Sequence, residues 1–126
     1  MRILFTACPG YGHAWPLLPL ARTAQRRGHE VVFATGPDLA PELVRRGLTT
    51  WAVGPTFPQM FDFRDGAEEE YAGLPPEQHM LVDLRLMFGT AARIRAAELL
   101  PRAQQWRPRW SSNRRAMPSP RPSTRC

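Results

Sequence analysis

The sequence predicts an α/β domain built on a doubly wound parallel sheet, and three observations carry that prediction. Three short apolar or β-branched runs, Ile3-Leu4-Phe5-Thr6-Ala7, Glu30-Val31-Val32-Phe33-Ala34-Thr35 and Thr49-Thr50-Trp51-Ala52-Val53, are followed closely by Pro and Gly, as buried strands of a parallel sheet are. Two stretches with apolar residues at helical spacing lie between them and stop at Gly28 and Gly47, a residue suited to the left-handed end of a helix. The joins are short, and right-handed crossovers place such helices on the faces of the sheet.

The first strand leads into Cys8-Pro9-Gly10-Tyr11-Gly12-His13-Ala14-Trp15-Pro16. Pro16 suits the first turn of a helix, where its missing N–H would have had no partner. Leu17, Leu20, Ala21 and Ala24 then form one helical face. His13 is thereby expected on a loop beyond the carboxyl end of the first strand, where open α/β sheets place their ligands. After the second strand, Asp38 is expected to cap a helix whose Leu39, Leu43 and Val44 face inward. The third strand closes at Gly54-Pro55.

From Thr56 to Pro76 the pattern changes, with Phe57, Met60, Phe61 and Phe63 among Asp62, Asp65 and the run Glu68-Glu69-Glu70. This predicts a long irregular connection, of the kind more often functional than idle; its acids equally suit a solvated face. Glu77 to Gln105 predicts one long helix with Met80, Leu84, Met87, Ala91 and Ile94 as its inward stripe, a core pattern rather than a cofactor box.

The net charge of +6 belongs to the end of the chain. Arginines and acids balance through Gln105, whereas Arg107, Arg109, Arg114, Arg115, Arg121 and Arg125 have no acid among them. This divides the chain into a domain over residues 1–105 and an Arg/Pro/Ser-rich tail over residues 106–126, expected to be disordered because it has no apolar periodicity. The tail reads either as a basic arm or as sequence without structural purpose; only nonspecific attraction to nucleic acid is expected of it. A third reading is a frameshift: if Ser111 and Ser112 use TCN codons, moving the frame back one base at Trp110 yields an apolar run where a fourth strand is due. Lysine is absent throughout, which fits a GC-rich gene. The opening residues do not form a secretory signal, and no run is long enough to cross a bilayer, so the expected compartment is cytoplasmic. Cys8 and Cys126 suggest neither a disulfide nor a metal site, and His13, His29 and His79 are scattered.

The string Gly12-His13-Ala14-Trp15-Pro16-Leu17-Leu18-Pro19-Leu20-Ala21, followed by Arg26-Arg27-Gly28-His29-Glu30-Val31-Val32-Phe33-Ala34-Thr35, resembles the amino-terminal domain of bacterial GT-B fold glycosyltransferases, in particular the macrolide and antibiotic enzymes related to the UDP-glycosyltransferases. The resemblance covers residues 1–105 and implies an incomplete Rossmann-like half of that fold. It implies that the domain binds a small hydroxyl-bearing acceptor, with a nucleotide-diphospho-sugar as donor substrate and no other cofactor. His13 matches the family's general base, and an imidazole that titrates near neutrality can take the proton of an alcohol as its oxygen attacks the anomeric carbon. Direct displacement would invert that carbon. The expected acceptor contacts are Gly12 and Trp15 beside the base, with Phe57, Met60 and Phe61 from the following connection.

The family's base is usually oriented by an acid after a fourth strand, a region here replaced by the arginine-rich tail. The resemblance therefore implies an acceptor half without its donor-binding partner domain, inactive alone, whose sheet ends in an unpaired edge. Two alternatives stand beside it. One is a non-catalytic acceptor-binding or helper module working with a separate glycosyltransferase. The other is a dinucleotide-binding Rossmann domain, for which Gly10-Tyr11-Gly12 is suggestive; Trp15 and Thr35, however, stand where a small residue and a ribose-binding acid are wanted, and Asp38 lies too far into the next turn.

Overall fold

A computed structural model describes residues 1–107. Of the segment expected to be a disordered or frame-shifted tail, residues 106–126, all but Trp106 and Arg107 lie outside the described residues. Strands β1 (Arg2–Thr6), β2 (Glu30–Thr35) and β3 (Thr49–Ala52) form a parallel sheet in the order β1-β2-β3. Its register sets Ile3 beside Val31 and Phe5 beside Phe33, and sets Ala34 beside Trp51. β2 is central and buried from Val31 to Thr35, whereas β1 and β3, each with one partner strand, are only half-covered.

Side-chain alternation along β2 divides the core between the two faces of the sheet. On one face Val31 and Phe33 pack with Ala14, Leu18, Ala21, Leu39, Leu43 and Leu48, with Ile3 and Phe5 closing the side. Those partners come from the helices α1 (Tyr11–Ala14), α2 (Leu18–Arg26) and α3 (Ala40–Arg45) and from the turn before β3. Phe33 is fully buried and its ring stacks on Phe5 with centroids 6.1 Å apart. Burying one such side chain contributes about 1.5–3 kcal/mol. Gly28 and Gly47, at φ +80° and +82°, turn the chain out of α2 and α3 and back into the sheet.

The helical region after β1 differs from expectation. It begins at Tyr11 rather than at Pro16, and Trp15–Leu17 form a tighter 3-10 turn between α1 and α2. Pro16 and Pro19 lack the N–H that a continuous α-helix would use, so the chain passes through this region in short pieces. His13 accordingly sits in a helical turn, not on a loop. Around α3, Asp38 does not cap the helix: Leu39 holds the N-cap position and no side chain bonds there. Val44, expected to face inward, is 56% exposed.

The Thr56–Pro76 connection is not irregular throughout. It forms α4 (Phe57–Asp62) and α5 (Glu68–Tyr71). A reciprocal cap starts α4, with Thr56 Oγ1 accepting from the Gln59 amide and Gln59 Oε1 accepting from the Thr56 amide, which satisfies two otherwise orphaned donors. The single long helix is likewise divided into α6 (Pro76–Leu84), a wider π-type turn (Arg85–Gly89) and α7 (Thr90–Trp106). The wide turn breaks the regular spacing, so the expected stripe fails at Met80, Leu84 and Ile94, which are exposed, and holds at Met87 and Ala91. Met87 and Ala91 form a second core with Met60, Phe63 and Phe88.

α7 runs along the other face of the sheet and closes the helix–sheet–helix layering. Near the strands' carboxyl ends the Arg95 guanidinium lies 3.7 Å from Cys8 Sγ, and Glu98 Oε2 accepts the Gly54 amide proton at 2.6 Å. At the opposite end Trp106 stacks edge-on against Trp51 and donates from Nε1 to Glu30 Oε1 at 2.9 Å, while its carbonyl accepts from Arg2. The helix thus includes Trp106, one residue beyond the expected boundary of the domain.

Candidate functional site

The carboxyl ends of the three strands converge through Pro9, Gly36 and Pro55. Gly36 follows β2 so closely packed that a Cβ there would stand 2.5 Å from Pro9 Cβ and 2.6 Å from the Pro55 carbonyl oxygen. This contact brings the turn after β1, the loop after β2 and the start of α4 together, and a pocket of about 490 Å³ opens between them. Its lining is Pro9, Gly10, Tyr11, Gly12, His13, Asp38, Phe57 and Pro58. The location, beyond the carboxyl edge of a parallel sheet, is the one expected for a ligand site in this architecture.

His13 is exposed in this pocket. Its amide donates to the Gly10 carbonyl at 3.0 Å, which fixes the backbone, and its ring meets Phe88 edge-on with centroids 6.4 Å apart. Among the described residues no hydrogen bond is made to the ring. Asp38 is the one carboxylate on the lining, and its Oδ2 accepts the Phe57 amide proton at 2.9 Å. That bond serves the first turn of α4 and holds Phe57 at the pocket wall.

The expected site residues divide. Gly12, His13 and Phe57 line the pocket together. Phe61 is not on the lining; it packs edge to face with Phe57 at 5.2 Å, and the Arg64 guanidinium lies over its ring. Met60 is fully buried in the second core and presents nothing to the pocket. Trp15 points away from it, packed edge-on with Tyr11 and covered by the Arg46 guanidinium 4.8 Å from its ring centroid. Trp15 and Met60 lie outside the lining of this pocket for the same reason: an aromatic or Met beside a motif is as able to fill a core or a surface groove as to meet a ligand. Tyr11, Asp38 and Pro58 were missed. Asp38 could have been found from its place just after a strand's carboxyl end, but Asp before an apolar helix also reads as a cap, and the cap reading prevailed.

The glycine turn does not make a dinucleotide site. In such sites the absent side chain lets the pyrophosphate approach the backbone. Here the second glycine, Gly12, is open, with nothing within 4 Å of an added Cβ, but Trp15 stands at the third position, where a small residue is wanted for close packing of the helix. Thr35, where an acid would hold the ribose, is fully buried. Among the described residues no three His, Cys, Asp or Glu side chains gather as metal ligands, and no helix is long and apolar enough to cross a membrane.

Comparison with known proteins points one way. The chain is 31% identical over 103 residues to the 4′-demethylrebeccamycin synthase of Lentzea aerocolonigenes, a match covering 79% of this chain and 24% of the relative. It is 42% identical over 53 residues to the L-demethylnoviosyl transferase of Streptomyces niveus, covering 42% of this chain and 14% of the relative. Among solved structures, the Streptomyces sp. SF2575 glycosyltransferase SsfS6 superposes with a TM-score of 0.68 at 27% identity, over 86% of this chain and 31% of that one; it has also been solved with thymidine diphosphate. The chain therefore spans less than a third of the length of these proteins. No family model matches it.

Proposed function

The chain is a relative of the antibiotic glycosyltransferases and has the fold of the amino-terminal half of the GT-B architecture, and from that premise we propose that its pocket binds the acceptor of a sugar transfer and that His13 is the general base. The observation that carries this reading is the placement of the His13 ring: exposed, free of any hydrogen-bonding partner among the described residues, and facing an otherwise largely apolar pocket at the carboxyl edge of the sheet. Tyr11, Phe57 and the two prolines offer flat apolar surface to a small natural-product-like alcohol or phenol, and the neutral imidazole supplies a nitrogen lone pair that can take the proton of its hydroxyl.

In the proposed step the acceptor hydroxyl gives its proton to the unprotonated imidazole nitrogen while its oxygen bonds to the anomeric carbon of a nucleotide-diphospho-sugar. The bond from that carbon to the diphosphate oxygen breaks, its electrons leave with the nucleotide diphosphate, and the carbon inverts. Proton removal of this kind contributes about 10²–10⁴-fold to rate. With the chain joined to the donor-binding domain of a related glycosyltransferase, His13→Ala is expected to lower kcat for sugar transfer to a phenolic acceptor by about that factor, while leaving acceptor binding within a few-fold. Turnover within threefold of wild type would refute the base assignment.

A further inference from the structure

Resting on the acceptor reading above, we infer that Asp38 determines which acceptors the pocket takes: it selects those carrying a second hydroxyl on their apolar frame and rejects those carrying a carboxylate. Asp38 and His13 line the same pocket from different segments, one following β2 and one following β1. Around them the lining is two aromatic rings, two prolines and two glycines. A flat ligand that presents one hydroxyl to His13 thus finds a single anionic group elsewhere on the wall.

The Asp38 carboxylate is both anchored and unfilled. Oδ2 is held by the Phe57 amide at 2.9 Å, which orients the group without consuming it, since an ionised carboxylate has about four lone-pair positions. Among the described residues no other hydrogen bond reaches it, and no cation pairs with it, whereas Glu30, Glu42, Glu70 and Asp83 each have an arginine within salt-bridge distance. A hydroxyl donating to a carboxylate makes a charge-assisted bond, stronger than one between neutral groups. An acceptor carboxylate at the same place would meet like charge in an otherwise largely apolar pocket, although Asp38 is itself exposed. Asp38 touches neither the attacking oxygen nor the proton it loses, so its effect belongs to binding and choice of substrate rather than to the chemical step.

The test titrates the full chain with three probes read by their own fluorescence anisotropy: 2-naphthol, 2,6-dihydroxynaphthalene and 6-hydroxy-2-naphthoate. Wild type is expected to bind the diol at least fivefold more tightly than 2-naphthol and the hydroxynaphthoate at least fivefold more weakly. Asp38→Asn keeps an acceptor for the Phe57 amide and removes the charge; it should bring the hydroxynaphthoate to within twofold of 2-naphthol and cut the diol preference at least in half. Asp38→Glu keeps the charge and should keep the rejection of the hydroxynaphthoate. Circular dichroism of each variant confirms that the fold is retained. Equal affinities of wild type for all three probes, or ratios that Asp38→Asn leaves unchanged, overturn the role of Asp38 while leaving the acceptor pocket standing. If no probe binds, or if Phe57→Ala changes none of the affinities, the acceptor reading itself falls and takes this inference with it.

Discussion

Replacing Gly36 by alanine tests whether the close approach of the three strand ends holds the pocket together. The added methyl would lie 2.5 Å from Pro9 Cβ, 2.9 Å from Pro9 Cγ and 2.6 Å from the Pro55 carbonyl oxygen. None of these atoms is the end of a flexible side chain: one pair belongs to a proline ring and the third to the backbone. Relief therefore requires the turn after β1 or the chain leaving β3 to move. Overpacking of this kind costs about 1–3 kcal/mol, and clashes with two rigid groups at once place Gly36→Ala in the upper part of that range. In a domain of this size each kcal/mol lowers Tm by about 4–8 °C, so a fall on the order of 10–20 °C is expected. Because Pro9 lines the pocket, binding of 2-naphthol should weaken in parallel. Gly12→Ala is the matched control: nothing lies within 4 Å of its added Cβ, the position is helical, and exchanging Gly for Ala there should be neutral or stabilising by up to about 1 kcal/mol. Thermal and urea melts followed by far-ultraviolet circular dichroism measure both. A Gly36→Ala protein melting within about 2 °C of wild type, with an unchanged urea midpoint, would show that the strand ends are not packed as described.

Two further perturbations address the cap of α4 beside the pocket and the contact of α7 with the amino ends of the strands. Thr56→Ala removes the side-chain half of the cap that starts α4 and should lower stability by about 0.5–2 kcal/mol in urea unfolding; no change would mean that the Gln59 side chain suffices. The Glu30 carboxyl is held below its ordinary range by the hydrogen bond from Trp106 Nε1 and then by Arg2. A depressed folded-state value means that this contribution is present above the unfolded carboxylate pKa and is lost as pH falls through the folded one. Trp106→Phe should accordingly raise the Glu30 midpoint in an NMR pH titration, and a midpoint that stays put would remove the indole as the chief cause.

The sheet was legible because burial on both faces demands uninterrupted apolar runs and because Gly and Pro end them: β2 lies where Glu30 to Thr35 placed it. What the sequence concealed lies where two physical causes leave the same trace. Pro16 suits a helix start, yet here it sits in a 3-10 turn after a helical turn has already formed. The stripe from Met80 to Ile94 assumes constant spacing, and the wide turn at Arg85–Gly89 interrupts it. The aromatics after Thr56 were visible as a group, but only packing separates Phe57 on the pocket wall from Met60 in the core. His13 and Gly12 could be placed together from the sequence because the turn after β1 follows directly from the strand, and both line the pocket at the sheet's carboxyl edge. Asp38 needed the tertiary bond to Phe57 to be seen as part of the same wall.

The wide turn between α6 and α7 makes chain length matter over residues 85–89 in addition to the packing of Met87 and Phe88 in the second core. An α-helix advances about 100° per residue, so losing or gaining one position there would swivel the whole of Thr90–Trp106 about its axis. Ala91 would leave the second core, Arg95 would leave Cys8, and Trp106 would leave Trp51 and Glu30, all in a single event. The turn acts as an indexing notch: it sets, at one point, how a helix spanning the sheet from end to end meshes with everything beneath it.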